Sequence, residues 1–117
     1  MNRFLLAFLM LLGLTAVASA QSVGGLYRVQ GKNFDGSTYG GQAKITPTSN
    51  NTCTIEWRVG STSSGICMRA GNFLSAAYVL KGKAGIVMYE ILRDGTLEGV
   101  WTLDGENGVG GERLIPQ

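Results

Sequence analysis

The sequence predicts an all-β protein: a small antiparallel up-and-down β-barrel of about eight strands that follows an N-terminal signal peptide. Apolar and polar residues alternate in several short runs, turn-forming pairs separate these runs, and no segment has a convincing helical period. Glycine accounts for 18 of the 117 residues and is spread along the chain without a collagen-like repeat. Scattered glycines between short apolar runs are typical of turns and bulges in β-proteins. A curled open sheet or a sandwich is the alternative architecture.

Residues 1–20 are predicted to be a cleavable signal peptide, and residues 21–117 a single β-barrel domain. The chain opens with one positive charge at Arg3, continues with an apolar run over residues 4–14, and reaches the small residues Ala18 and Ala20. This pattern is typical of a site for signal peptidase. The apolar run is too short to cross a bilayer comfortably, which disfavours an uncleaved membrane anchor.

Eight strands are predicted in the domain, at residues 25–31, 38–46, 52–59, 65–70, 73–80, 85–92, 97–103 and 110–115. The clearest alternation is at residues 53–59, where Cys, Ile, Trp and Val share one face. Residues 73–80 and 85–92 are more continuously apolar, and we expect them to be buried on both sides or covered at one end. Residues 73–80 also contain good helix formers, so a short helix is the alternative there.

The turns favour a closed meander. Three Asp-Gly pairs, which supply the positive φ angles of tight hairpins, lie between predicted strands at residues 35–36, 94–95 and 104–105. Because every connection is short, strands that are neighbours in sequence should be neighbours in space. Closure into a barrel removes the two exposed edges that such a meander would otherwise have.

Cys53 and Cys67 are predicted to form a disulfide, as expected for an exported chain with two cysteines. With the hairpin loop placed at residues 60–64, however, Trp57 and not Cys53 lies opposite Cys67. Three solutions remain open: a tighter turn near Gly60, a curved or bulged strand, or a bond between different edges of the barrel.

Composition excludes several classes of function. The chain has 10 Lys and Arg, 8 Asp and Glu and no basic cluster, which disfavours binding to nucleic acid. It has no histidine, so neither a Ser-His-Asp nor a Cys-His site can form, and two thiolates do not complete a zinc shell. Glu56, Glu90 and Glu98 lie within strands, where two of them can meet across the sheet. We predict that the protein is not an enzyme and has no metal site and no cofactor.

Aromatic residues recur on different strands and suggest a ligand pocket at one mouth of the barrel. The candidate binding residues are Trp57, Trp101, Tyr39, Tyr89 and Tyr27, with the two tryptophans as walls of the pocket. The alternative is that these rings simply fill the core, as side chains do in most small barrels.

Several motifs resemble small exported alphaproteobacterial proteins of unknown function. They are Tyr27-x-Val29-x-Gly31, Ile55-x-Trp57-Arg58-x-Gly60, Gly65-Ile66-Cys67-Met68, Asp94-Gly95-x-Leu97-x-Gly99-x-Trp101 and Gly108-x-Gly110-x-Glu112-Arg113-Leu114. Some proteins of that group are labelled fibronectin-binding, which implies adhesion. In size and β-meander the chain is also similar to avidin-type and lipocalin-type barrels and to periplasmic lysozyme inhibitors.

These observations favour a non-catalytic binding module, periplasmic or extracellular, for a protein surface or a small apolar ligand. A pocket lined by tryptophan would indicate a small ligand, and a filled interior would indicate a protein surface. The alternatives are an inhibitor of a cell-wall or host enzyme, acting through a protruding loop at residues 60–64 or 81–84, and a fibronectin-binding-type adhesin. No stable membrane insertion is expected after signal cleavage, because all the predicted strands except residues 38–46 are shorter than the roughly nine to eleven residues of membrane-spanning strands.

Overall fold

The computed structural model describes residues 22–117. The predicted signal peptide at residues 1–20 lies outside the described residues, so the domain boundaries stay a prediction. Within residues 22–117, no helix is long and apolar enough to cross a membrane.

Eight antiparallel strands close into a barrel, which confirms the predicted fold class. In chain order they are β1 (Gly25–Lys32), β2 (Thr38–Pro47), β3 (Thr52–Arg58), β4 (Thr62–Ala70), β5 (Phe73–Leu80), β6 (Lys83–Ile91), β7 (Leu97–Leu103) and β8 (Gly110–Pro116). Each strand pairs with the next, and β8 pairs back with β1, so the sheet is neither open nor split into two layers. Residues 73–80 form β5 and not a short helix, because their alternate residues pack into the barrel.

The two ends of the barrel differ. We call the end formed by residues 33–37, 59–61, 81–82 and 104–109 the mouth, and the end formed by residues 48–51, 71–72 and 92–96 the base.

The apolar side chains buried inside the barrel are Tyr27, Val29, Ala43, Ile45, Cys53, Ile55, Trp57, Cys67, Leu74, Ala76, Val87, Tyr89, Ile91, Leu97 and Leu114. Burial of a large apolar side chain contributes about 1.5–3 kcal/mol, so this interior cluster is the main source of stability.

The predicted disulfide is present and settles the register of the β3–β4 hairpin. Cys53 and Cys67 lie directly opposite each other, with 4.9 Å between their Cα atoms, and both are buried inside the barrel. The turn consists of residues 59–61 only, and Gly60 adopts a φ of 91° at its centre. The predicted loop at residues 60–64 was therefore wrong: the tighter turn near Gly60 is the solution adopted, and Trp57 lies opposite Ser63.

The outer surface of β4–β7 corrects a second prediction. The outward side chains of β5 and β6 are exposed, although these strands were expected to be buried on both sides or covered at one end. We call this surface the outer apolar face; its exposed apolar side chains are Ile66, Met68, Phe73, Val79, Ile86, Met88 and Val100. Ile66, Ala77 and Ile86 form one apolar row across β4, β5 and β6, and Met88 and Val100 are directly opposite each other on β6 and β7. The continuous apolar composition of these strands thus reflects an apolar exterior and not a second layer.

Candidate functional site

A cavity of about 230 Å³ opens at the mouth of the barrel. Its side chains come from seven of the eight strands and the turns between them: Asn33, Tyr39, Trp57, Val59, Ser61, Ser63, Tyr78, Leu80, Val87, Trp101 and Glu112. Four aromatic rings and one carboxyl group therefore surround a space large enough for a small organic molecule. None of these lining residues is a lysine or arginine.

Glu112 is the central polar residue of this site. It lies on β8 and is only 7% exposed, and it points inward with its neighbours Gly110 and Leu114. Three side chains donate hydrogen bonds to its carboxylate. Tyr39 donates to Oε1 over 2.8 Å, Trp57 donates its Nε1–H to Oε2 over 3.0 Å, and Tyr89 donates its hydroxyl proton to Oε2.

The buried carboxylate is thus held by donors from three other strands. Burial raises the pKa of Glu112, and the hydrogen bonds from Tyr89, Tyr39 and Trp57 partly oppose that rise. Burial, together with the adjacent Glu112, also raises the pKa of Tyr39 and Tyr89. The same two causes raise the pKa of Tyr78 to about 12. The tyrosines therefore remain protonated donors at neutral pH.

Three of the rings lie flat against the barrel wall because a glycine faces each of them. Tyr39 covers Gly31, Tyr78 covers Gly85 and Trp101 covers Gly110, each directly opposite on the neighbouring strand. A Cβ atom at any of these glycines would lie 2.0–2.4 Å from the nearest atom of the ring. The missing side chains thus make room for the rings at the wall and leave the centre of the mouth open.

A methyl group at Gly110 is expected to push the Trp101 ring into the cavity. The Cβ of Gly110→Ala would meet Trp101 Cε2 at 2.3 Å. Overpacking of this kind typically costs about 1–3 kcal/mol, so the urea midpoint should fall and the tryptophan emission should shift. Gly111→Ala is the matched control, because its Cβ meets nothing nearer than an oxygen at 4.0 Å. Equal stability and equal emission spectra in the two variants would contradict the glycine–ring packing.

The predicted binding residues separate into three groups. Trp57, Trp101 and Tyr39 line the cavity. Tyr89 does not line it but donates to Glu112 from within the buried interior. Tyr27 is outside the site: its hydroxyl accepts a hydrogen bond from the backbone N–H of Gly24, before β1. Binding of a ligand by these residues stays a prediction.

Sequence reasoning missed Glu112 as a site residue. The carboxylates that it singled out, Glu56, Glu90 and Glu98, are on the outer surface, where Glu90 and Glu98 are direct neighbours across β6 and β7. The alternation of β8 was the available clue, because Glu112 shares its face with Leu114, which is fully buried. Tyr78 was not among the candidate binding residues, yet it lines the cavity and packs against Trp57 with ring centroids 5.1 Å apart.

Comparison with known proteins supports the fold alone. The chain matches no protein-family model and no curated protein sequence. Among solved structures, a mutant of the fluorescent protein UnaG is similar, with a TM-score of 0.53 and 12% sequence identity. The alignment covers 80% of this chain and 95% of that chain. This confirms the likeness to small β-barrels, whereas the resemblance to alphaproteobacterial exported proteins stays a prediction.

Proposed function

We propose that this protein is a non-catalytic binding module that holds one small, largely apolar ligand in its mouth cavity. The observation that carries the proposal is the cavity itself, in which four rings surround a buried carboxylate with three donors. A concave, mainly aromatic site with a few convergent polar groups is the usual form of a small-molecule site. The small-barrel fold is compatible with this role but does not by itself assign it.

Catalysis is not part of the proposal. In residues 22–117 no three His, Cys, Asp or Glu side chains are grouped to hold a metal ion. Glu112 has hydrogen-bond donors around it but no second carboxylate in the lining with which to share acid–base chemistry. We therefore assign the carboxyl group to ligand recognition.

The other predicted roles receive less support from the geometry. An inhibitor was expected to use a protruding loop, but the β3–β4 and β5–β6 turns contain only residues 59–61 and 81–82. A protein partner would find an apolar surface in the outer apolar face, but nothing about that face identifies the partner. The mouth cavity combines rings with a hydrogen-bonded carboxyl group, and it is therefore a more specific binding site than the outer apolar face or the short turns.

We also propose that the protein is exported, to the periplasm or the medium. The disulfide between Cys53 and Cys67 supports this proposal, because such bonds persist in oxidising compartments and are rare in the cytosol.

Binding in the cavity can be tested with the neutral fluorescent dye N-phenyl-1-naphthylamine. We expect one dye molecule per chain, and we expect Ser63→Tyr to abolish binding by filling the mouth. Ser63 lines the cavity, whereas the adjacent Ser64 is exposed on the outside of β4. Ser64→Tyr is therefore the matched control and should retain the dye.

Equal dye binding by the two serine variants would overturn the proposal. In that case the dye would lie on the outer apolar face, and Met88→Lys would be expected to weaken it, since Met88 is 55% exposed there. Absence of dye binding by the wild-type protein would also count against an accessible apolar cavity.

A further inference from the structure

We propose that the ligand of the mouth cavity is an organic cation, bound as a substituted or quaternary ammonium group between the aromatic rings and Glu112. This inference rests on the proposed function, because it names the class of ligand for the same cavity. It follows from the packing of the rings, the sign of the charge in the lining, and the acceptor position that remains on Glu112.

The rings of the lining pack against the barrel wall and against other rings: Phe34 lies against Trp101 with ring centroids 4.7 Å apart, and Tyr78 lies against Trp57 at 5.1 Å. Tyr39, Tyr78 and Trp101 each have one face against a wall glycine, so the opposite face points away from the wall. The face of an aromatic ring carries the negative part of its quadrupole and attracts cations. Sets of ring faces around a small space are the form in which proteins recognise quaternary ammonium groups.

The charge of the site has the sign that a cation requires. Glu112 supplies one carboxyl group, and the groups that face it are the tyrosines Tyr39, Tyr78 and Tyr89 and the indole of Trp57. The cationic side chains nearest the mouth are at the ends of strands or in turns: Lys32, Arg58, Lys81 and Lys83, all outside the lining. Lys32 and Lys83 are exposed, and solvent screens charges of this kind.

An acceptor position on Glu112 remains for an N–H of a substituted ammonium group or for a hydroxyl group of the ligand. A carboxylate offers about four lone-pair sites, and Tyr39, Trp57 and Tyr89 occupy three. An anionic ligand would place a second negative charge beside a buried carboxylate without a basic partner, which is costly. A neutral apolar ligand would provide no opposite charge to interact with the carboxylate of Glu112.

Choline and its neutral isostere 3,3-dimethylbutan-1-ol test this inference directly, because the two molecules have the same shape and differ in charge. We expect calorimetry to show choline binding at least about tenfold more tightly, as expected for cation–π contacts with a partly desolvated cation. In Glu112→Gln this preference should decrease, because the rings alone then attract the cation. Glu90→Gln, on the outer surface, is the matched control and should keep it.

The pH dependence provides a second measurement that needs no variant. Ionised Glu112 adds to the attraction of the cation by the rings and neutral Glu112 does not, and burial raises the pKa of Glu112 above the usual value of 4.5. Choline affinity should therefore increase as pH rises through the pKa of folded Glu112, while affinity for the alcohol should stay constant. In Glu112→Gln the choline affinity should be flat with pH.

The outcomes separate the two proposals. If the neutral dye binds in the cavity but choline and the alcohol bind equally, the cation inference fails and the binding function stands. If neither the dye nor choline binds, both fail. If choline binds more tightly but Glu112→Gln keeps the full preference, Glu112 is not the recognising group and the inference is overturned.

Discussion

Glu112→Leu is expected to lower the free energy of unfolding by about 3 kcal/mol or more, measured by urea denaturation. The leucine fills much of the same volume, but it leaves Trp57 Nε1–H and the hydroxyl groups of Tyr39 and Tyr89 without their acceptor. Each buried donor that loses its partner costs roughly 1–3 kcal/mol.

Glu112→Gln is the control for this prediction. Its amide oxygen can replace Oε2 as acceptor for Trp57 and Tyr89, and its amide nitrogen can donate to the hydroxyl oxygen of Tyr39. The glutamine variant should therefore be clearly more stable than the leucine variant. Equal stability of wild type and Glu112→Leu would contradict the prediction, and would mean that water in the cavity satisfies the three donors.

Removing the disulfide is expected to cost about 3 kcal/mol. Cys53 and Cys67 are 14 residues apart, and closing a loop of this length restricts the unfolded chain by roughly this amount. Both cysteines are buried, so Cys53→Val with Cys67→Val keeps apolar volume while it removes the cross-link. Urea denaturation of this double variant measures the contribution of the bond.

The corresponding double alanine variant serves as the comparison, because it removes the cross-link and also creates a cavity. It should be less stable than the valine variant. If the valine variant is within about 1 kcal/mol of wild type, the hairpin is already restricted in the unfolded chain and the bond adds little.

The strands and their closure could be predicted because both depend on local patterns. The alternation at residues 53–59 is the pattern of a strand with one buried face, and β3 has that burial pattern. The β3–β4 turn was misplaced because Thr62, Ser63 and Ser64 have the composition of a loop, although all three belong to β4. Residue 60 is midway in sequence between Cys53 and Cys67. The assumption that these two cysteines face each other directly would therefore have placed the turn at residue 60 and given the correct register.

The site could be predicted only in part. The alternation of apolar and polar residues indicates whether a side chain points inward or outward, but not its position along the barrel axis. Tyr27 and Tyr39 both point inward, yet Tyr39 lines the mouth and Tyr27 hydrogen-bonds near the other end of β1. The position of a side chain along the barrel axis depends on the register of all eight strand pairs together. Glu112 was missed for a different reason: a glutamate is seldom buried, and only its three donors make the buried position stable.

The closed hydrogen-bond ladder also limits how this protein can aggregate. Amyloid-like growth adds strands to a free backbone edge, and β1 pairs with β8, so residues 22–117 offer no such edge while folded. Copies brought together by the outer apolar face can associate only through side chains such as Ile66 and Met88. Concentrated solutions should therefore form reversible clusters that disperse on dilution, and fibrils should require the barrel to open first.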